Sequence, residues 1–582
     1  MSGTLSSRAV AIAKRGSAYG APVVVIALAA YCVLASPFIV DGDNAELATL
    51  GAVGGRAHPP GYPLYVLWLR AWSWLPGQTP AHTAALATAM LGAAALLVLH
   101  AACRAWGARP LAASIAVAVY AAAPVILRYH SQAEVFALNH LIVALVLWLA
   151  AIHGPLRGAW RAGALGLVAG LGLANHMTCA LVAPIGILGI VRAVRESHAR
   201  APAAASALVG LVVGLVPYAY LFVADGPASW GLVSSWKDLA VIVFRSEYGG
   251  MVGFAPLGAE VSWTTNLWLL AASIGRSWLW LPAVAGPIAL GVRIWRPADG
   301  GESRWGWIAL AASLMLAGPL LVARFNVVPD YLGQYTCERF HMLPVLLLAI
   351  PIAVAADTAI ARMTRPALAA ALPAIAFVGL VATALPGLER VHSPAMEYEV
   401  RNLLRSMPRS AVAYVVPDDL CGGASYLQVA RDERPDVVVL CAAMLRLPWY
   451  RAQLTRRAIG VDIAPGGLSS ALLKTGREVF VDPQLTNALA AYRHYPFGIV
   501  RRVLPGDARV PPAGEIAEIN RTLFNGFDLA YTWPGPTDGY AALAHYRYAA
   551  TWSAIARLLD ASGDRGGAQD ALELAARLTP RE

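Results

Sequence analysis

Residues 41–65 read DGDNAELATLGAVGGRAHPPGYPLY and follow the first long apolar run of the chain. The stretch therefore leaves the bilayer at one face and stays close to that face. It holds Asp41, Asp43 and Glu46, then Arg56 and His58, and ends in a proline-rich turn. Ionisable groups held at the mouth of a membrane protein indicate a functional site, whereas a solvated connecting loop is the simpler alternative.

The composition predicts a membrane protein. Of the 582 residues, 58% are hydrophobic and 14% are charged, while soluble domains carry about 25% charged residues. Apolar runs long enough to cross a bilayer recur along the chain, and without strand alternation only helices satisfy the backbone in lipid. We therefore predict a polytopic α-helical membrane protein of about 11 spans. The predicted spans are 21–40, 82–103, 110–127, 135–152, 161–174, 178–193, 203–224, 278–294, 306–323, 341–357 and 367–386.

Positive residues set the predicted orientation. The net charge is +10, and much of it lies in short loops between spans, so it reports topology rather than nucleic-acid binding. Arg8, Lys14 and Arg15 precede the first span. Alternate loops are basic, which places the N-terminus in the cytoplasm and the C-terminal part outside the cytoplasm.

Three regions follow from the pattern: a membrane domain at 1–387 with a first loop at 41–81, an α/β domain at 388–535, and a terminal helical pair at 536–582. Strands predicted at 411–416, 436–440 and 478–481, with a helix at 424–431, indicate a small parallel sheet. The last residues have the spacing of one tetratricopeptide-like (TPR-like) helical pair. Cys421 and Cys441 share the α/β domain, and they pair or stay free according to its compartment.

Asp43 and Glu46 are three residues apart, and two interpretations stay open. If a helix begins near Asn44, Asp43 is its N-cap and Glu46 completes a capping box. Alternatively, a partly desolvated carboxylate has a raised pKa and accepts a proton from a hydroxyl as a general base. The two interpretations are compatible, since a capping Glu46 would orient a catalytic Asp43.

Further polar residues fall at span ends on the face that holds Asp43. Arginine suits phosphate binding, and the predicted phosphate-binding residues are Arg128, Arg324 and Arg339, with Lys237 and Arg245 as weaker candidates. The predicted substrate-binding residues are His58, Tyr62, Gln132, Glu134, Asn175 and His176, although a histidine between spans is also explained by packing. The sequence holds no HExxH motif and no paired CxxC motif, so we predict no metal site.

Several motifs carry a family resemblance. They are DNAEL at 43–47 with HPPGYPLY at 58–65, SQAEVFALN at 131–139, GLANH at 172–176, VPYAY at 216–220, RPDV at 434–437 and PWY at 448–450. In this order they resemble a bacterial membrane-protein family that is related to the transmembrane protein O-mannosyltransferases of the GT-C glycosyltransferase superfamily.

The resemblance implies a GT-C-like enzyme of the bacterial inner membrane. By this resemblance it would move a sugar, mannose, from a polyprenyl-phosphate donor to an extracytoplasmic acceptor such as a protein Ser or Thr hydroxyl, with inversion and without a cofactor. An acidic residue of the first loop is the base in that superfamily, which corresponds to Asp43 with Glu46 as its neighbour. Between them the chain has Asn44 and Ala45, where the family pattern has Ser and Gly. The α/β domain and the terminal helices would bind the acceptor.

Two other functions remain as alternatives. The same chemistry could transfer the sugar to a lipid or to an envelope glycan, and the sequence does not separate these acceptors. A transporter or scaffold, whose α/β domain binds a partner, predicts charged residues at span midplanes. Charges cluster at span ends instead, which counts against that alternative.

Overall fold

Helices make up most of the computed structural model, which describes residues 20–248, 262–325, 330–360, 366–456, 476–485, 490, 492–506 and 508–581. Within these ranges, five helices are long and apolar enough to cross a membrane. Two bent helix pairs are also long and apolar enough if each pair is taken as one span, and three shorter helices are apolar. The chain is therefore a multi-pass membrane protein, and the count of about 11 spans stays a prediction. Arg8, Lys14 and Arg15 lie outside the described residues.

The helices are numbered along the chain. Up to residue 406 they are α1 (Gly20–Val33), α2 (Gly42–Val53), α3 (Pro63–Ala71), α4 (Pro80–Ala105), α5 (Pro110–Ala122), α6 (Pro124–His130), α7 (Phe136–Ala150), α8 (Gly158–Leu173), α9 (Ala183–Glu196), α10 (Arg200–Gly214), α11 (Tyr220–Val223), α12 (Trp236–Val243), α13 (Trp263–Ser277), α14 (Leu281–Trp295), α15 (Arg304–Met315), α16 (Tyr331–Ile360), α17 (Pro366–Val391) and α18 (Ala395–Ser406). Beyond residue 406 they are α19 (Asp418–Ser425), α20 (Pro448–Arg456), α21 (Ala513–Asn525), α22 (Gly539–Ala561) and α23 (Arg565–Leu578).

Helices α8 and α10 approach each other closely along their glycines. A Cβ atom on Gly170 would collide with the carbonyl oxygen of Leu211, and one on Gly210 would collide with the carbonyl oxygen of Gly163. Small residues let helix backbones come together in a membrane, where packing rather than hydrophobicity drives association. The contact fixes the C-terminal end of α8, which leads directly into the candidate site.

Helix α16 begins earlier than the sequence predicted. Span ten was predicted at 341–357, with the polar residues before it in a loop. The helix begins at Tyr331 instead, so Glu338 and Arg339 lie within it. Its charges are neutralised there, since Glu338 pairs with Arg128 at 3.0 Å and Arg339 pairs with Asp43 at 2.5 Å. Paired charges are tolerated where single buried charges are not.

The α/β domain contains a five-stranded mixed sheet in the order β2-β1-β3-β5-β4. Its strands are β1 (Val412–Val415), β2 (Val438–Cys441), β3 (Val479–Val481), β4 (His494–Phe497) and β5 (Val500–Val503). Strands β1, β2 and β3 lie at the three predicted places and are parallel. The antiparallel hairpin β4-β5 was not predicted. It carries Pro496, and proline in a short polar run argues against a strand except at a sheet edge, which is where β4 lies.

A disulfide joins Cys421 to Cys441 with a Cα–Cα distance of 5.7 Å. It links α19 to the end of β2, the edge strand that pairs in parallel with β1. The helix predicted at 424–431 begins at Asp418 instead. The bridge holds α19 against the sheet, and α19 also packs against α2 of the first loop.

A buried ion cluster connects α22 to the α/β domain. Arg547 of α22 lies 2.8 Å from Glu399 of α18 and 2.7 Å from Asp419 of α19. Both carboxylates are almost completely buried. The guanidinium therefore holds three helices together through two buried carboxylates.

We expect Arg547→Met to destabilise the protein by about 3–5 kcal/mol, because two buried carboxylates would lose their shared partner. Thermal unfolding in detergent, followed by circular dichroism, measures the change. Arg557→Met on the exposed side of the same helix is the control and is expected to melt like the wild type. Equal melting of the two variants would contradict a structural role for the cluster.

Candidate functional site

The N-cap of α2 is Asp41, which corrects the predicted capping box. The Oδ1 atom of Asp41 accepts a hydrogen bond of 2.7 Å from the backbone N–H of Asn44, and the Asp41 backbone is extended. Asp43 and Glu46 therefore do not cap the helix. The helix begins two residues earlier than the capping interpretation required, so both carboxylates are available for other contacts.

Asp43 pairs with a basic residue far along the chain. Its Oδ2 atom lies 2.5 Å from Nη1 of Arg339, and its Oδ1 atom lies 3.8 Å from Nε2 of His58. Burial opposes the charge, but Arg339 and His58 outweigh it and lower the pKa of Asp43 to about 2. The side chain is 36% exposed, so this carboxylate is ionised and reachable.

His58 is held by Glu46. The backbone N–H of His58 donates to Oε1 of Glu46 at 2.9 Å, and its Nδ1 lies 2.5 Å from Oε2. Burial lowers the pKa of His58, but the charges of Glu46 and Asp43 outweigh burial and raise the pKa to about 9. His58 is therefore charged at neutral pH, and Glu46 fixes its ring beside Asp43.

Tyr62 and His176 form the next layer of the site. Their rings stack with a centroid distance of 5.8 Å, and the Tyr62 hydroxyl lies 3.2 Å from Nε2 of His58. Burial, followed by the charges of Arg245 and Arg339, lowers the pKa of His176 to about 3. His176 is thus a neutral ring at pH 7, and its Nδ1 contacts the hydroxyl of Thr178 at 2.7 Å.

Gln132, Glu134 and Asn175 are buried beside this layer. Asn175 donates a hydrogen bond to the carbonyl of Val135, which ties the turn after α8 to the start of α7. Burial and the neighbouring Asp41 raise the pKa of Glu134 well above its usual range. In the described part of the chain, neither amide atom of Gln132 has a hydrogen-bond partner.

The three predicted phosphate-binding arginines occupy different places. Arg339 contacts Asp43 directly. Arg128 lies one layer behind, 4.5 Å above the ring of Tyr335, whose hydroxyl donates to Asp41. Arg324 is exposed, and the contacts that define the site do not include its side chain.

Two further charged residues belong to the site: Arg245, which was predicted only as a weaker phosphate-binding candidate, and Asp418, which was not predicted there. The charge of Arg245 acts on Asp43 and His58. Asp418, at the start of α19, has a pKa raised by burial and by Asp43. A Cβ atom on Gly42 would lie 3.1 Å from the carbonyl oxygen of Asp418, so α19 sits directly against the first turn of α2. No local pattern could have revealed this contact between distant parts of the chain.

No group of three or more His, Cys, Asp or Glu side chains within the described ranges is arranged to hold a metal ion. The charged side chains of the site are paired with each other instead. Two carboxylates and two cationic side chains therefore form one coupled set: Asp43, Glu46, His58 and Arg339.

The raised pKa of His58 predicts how stability varies with pH. Because the pKa rises from 6.5 to about 9 on folding, the contribution is full below about pH 6.5 and is lost as the pH rises through about 9. We expect the stability difference between wild type and His58→Gln, at most roughly 3 kcal/mol, to disappear over that interval. Denaturation midpoints across this pH range test it, with the exposed His198→Gln as the control; a constant difference would contradict the assignment.

Comparisons with known proteins give the context of this site. Residues 43–199 match the family described as the protein O-mannosyl-transferase TMEM260 N-terminal domain. The protein O-mannosyl-transferase TMEM260 of Mus musculus is 26% identical over 477 residues, which are 78% of this chain and 66% of the mouse protein. The tmem260 protein of Dictyostelium discoideum is 23% identical over 261 residues, 41% of this chain and 32% of that protein. The chain thus spans just under two thirds of the length of the mouse protein and about a third of the length of the Dictyostelium protein.

Among solved structures, apo ArnT from Cupriavidus metallidurans is similar with a TM-score of 0.48 and 13% identity. The likeness covers 83% of this chain and 96% of that chain. The family match begins at Asp43, the carboxylate that pairs with Arg339. The comparisons confirm the resemblance carried by the sequence motifs: the chain is similar to protein O-mannosyl-transferases, and residues 43–199 match the N-terminal domain of that family.

Proposed function

We propose that this protein is a GT-C-type membrane glycosyltransferase that moves mannose from a polyprenyl-phosphate donor to a Ser or Thr hydroxyl of an extracytoplasmic protein. The observation that carries the proposal is the contact of Asp43, the first residue of the matched family domain, with Arg339 of α16. A carboxylate beside an arginine supplies both groups that the reaction needs, a proton acceptor and a cation for the leaving phosphate.

Asp43 is the proposed general base. It is ionised and partly exposed in the resting site. A carboxylate that is fully paired is a weak base, because its pKa is low. Donor phosphate would compete for the guanidinium of Arg339, and Asp43 would then lose its main partner. Its pKa would rise toward a value at which it accepts a proton from the acceptor hydroxyl.

The proposed reaction is a direct displacement with inversion. The acceptor oxygen forms a bond to the anomeric carbon and its proton passes to Asp43. The bond between that carbon and the phosphate oxygen breaks, and its electron pair leaves with the polyprenyl phosphate. Arg339 stabilises this developing charge, as preorganised cations do for leaving groups. The proposed displacement uses no cofactor, because the donor already carries the phosphate that leaves.

His58 and Tyr62 are proposed to shape the sugar site. The charged His58 carries a proton next to Asp43 and is held by Glu46. Tyr62 contacts His58 on one side and stacks on His176 on the other. Such rings offer a polar edge and an apolar face, which suits a sugar that has hydroxyl groups around a carbon ring.

We propose that the site faces the extracytoplasmic side of a bacterial inner membrane, with the N-terminus in the cytoplasm. Alternating basic loops support this orientation. The disulfide between Cys421 and Cys441 also supports it, because such bonds persist in oxidising compartments. The α/β domain, which sits against α2 through α19, would then meet protein acceptors on that side.

We expect Asp43→Asn to lower sugar transfer by roughly 100- to 10,000-fold, because a general base is lost while the side-chain shape is kept. Purified protein in detergent, polyprenyl-phosphate-mannose and membrane-protein acceptors provide the assay. The exposed Asp299→Asn is the matched control and is expected to transfer normally. Full activity of Asp43→Asn, with both variants melting like the wild type, would exclude Asp43 as the base.

Arg339 and Arg324 provide a second, paired test. We expect Arg339→Gln to reduce transfer by roughly 100- to 1000-fold, because the cation that stabilises the leaving phosphate is removed. Arg324→Gln is expected to stay close to wild type, since its side chain is exposed. Kinetics with varied donor concentration measure both. Equal losses in the two variants would contradict the phosphate role assigned to Arg339.

A further inference from the structure

A row of aromatic rings extends from the site to the α/β domain. Trp449 of α20 lies 5.2 Å from Trp230, which lies 6.2 Å from His58, measured between ring centroids. His58 is 5.1 Å from Tyr62, and Tyr62 stacks on His176. Trp230 and Trp449 are both half-buried. The row therefore presents partly open tryptophan rings next to the catalytic residues.

One carboxylate joins the two tryptophans. The indole N–H of Trp230 donates to Oε2 of Glu247 at 3.0 Å, and that of Trp449 donates to Oε1 at 3.2 Å. Gln453 of the same helix as Trp449 donates to the carbonyl of Ser229 at 3.2 Å. These bonds attach the segments on both sides of α12 to the α/β domain and hold both indole rings.

Arg339 meets the row at two points, through Phe340 at one end and through Asp43 beside His58. Arg339 lies 5.7 Å from the ring of Phe340, and Phe340 is 6.5 Å from His176. The order along the row is thus Phe340, His176, Tyr62, His58, Trp230 and Trp449. Asp43 contacts His58, in the middle of the row.

This order matters because an inverting displacement separates its two substrates. The acceptor oxygen attacks the anomeric carbon from the face opposite the leaving phosphate. With the phosphate at Arg339, the acceptor would enter on the side of Asp43 that faces away from Arg339. The tryptophan pair lies beyond His58, which contacts the carboxylate oxygen of Asp43 that Arg339 does not contact.

We propose that Trp230, Trp449 and Glu247 form a subsite for the acceptor polypeptide next to its glycosylated Ser or Thr. The inference rests on the proposed function and assigns a binding surface within it. Tryptophan is the side chain that most often dominates peptide and protein binding, because it buries a large rigid surface. Glu247 has remaining lone pairs that accept backbone N–H groups of an extended peptide.

The choice of a polypeptide follows from where the pair lies. Trp449 belongs to the α/β domain and Trp230 to the membrane domain, so the subsite spans both parts at the side where a folded acceptor would approach. Asp418 of the same α/β domain borders Asp43. A lipid or glycan acceptor is the alternative that the experiment below separates.

The test compares a peptide with an acceptor too small to reach the tryptophans. Short synthetic peptides, each with one Thr, serve as the first acceptor, and N-acetylthreonine amide serves as the second. We expect Trp449→Ala to raise the KM for the peptides by about tenfold while the donor KM and the transfer to N-acetylthreonine amide stay unchanged. Trp449→Phe, which keeps a ring but loses the bond to Glu247, is expected to fall in between. Trp305→Ala, at a tryptophan that is 68% exposed on α15, is the matched control.

Each other result overturns a defined part of the argument. Equal losses with both acceptors would show that Trp449 acts only through the fold, and unchanged peptide kinetics would remove the subsite. Wild-type transfer to lipid or glycan acceptors but to no peptide would refute the polypeptide assignment while leaving the glycosyltransferase in place. Absence of transfer to every acceptor tried would refute the proposed function itself.

Discussion

The contact between Asp43 and Arg339 is the interaction on which the arrangement of the site depends. The two residues are 296 positions apart in the sequence, so the pair holds the first loop against α16. Arg339 can occupy the first turns of a largely buried helix because an opposite charge meets it there. The same carboxylate supports the charge of His58, which Glu46 holds from the other side. Each charge in the set therefore depends on its neighbours.

The α/β domain is part of this arrangement rather than a separate appendage. Helix α19 packs against α2 where Gly42 leaves no room for a side chain. Arg547 links α19 to α18 and α22 through buried carboxylates. Trp449 brings a further helix of the domain to the row of rings beside His58. The α/β domain is thus joined to the first loop by direct packing of α19 on α2.

Much of the site was visible in the sequence because it is local. Asp43, Glu46 and His58 lie within one short stretch, and their chemistry is unusual for a membrane protein. The capping interpretation, one of the two left open, is wrong because Asp41 rather than Asp43 caps α2 and accepts from the backbone N–H of Asn44. Long-range contacts accompany the capping by Asp41: the hydroxyl of Tyr335 donates to Asp41, and Arg339 binds Asp43. Arg324 and Arg339 looked equivalent in the sequence, but only one of them lies on the helix face that meets the first loop.

The sequence by itself determined a helical membrane protein, an α/β domain with a parallel strand core, and an acidic first loop. Hydrophobic length and local motifs are sufficient for these features, because they depend on neighbouring residues. Only the tertiary structure decided which arginine pairs with Asp43, that α19 lies against α2, and that Trp230 and Trp449 share Glu247. Those contacts join residues far apart in the chain, and their energy comes from burial and charge pairing that exist only after the helices have packed.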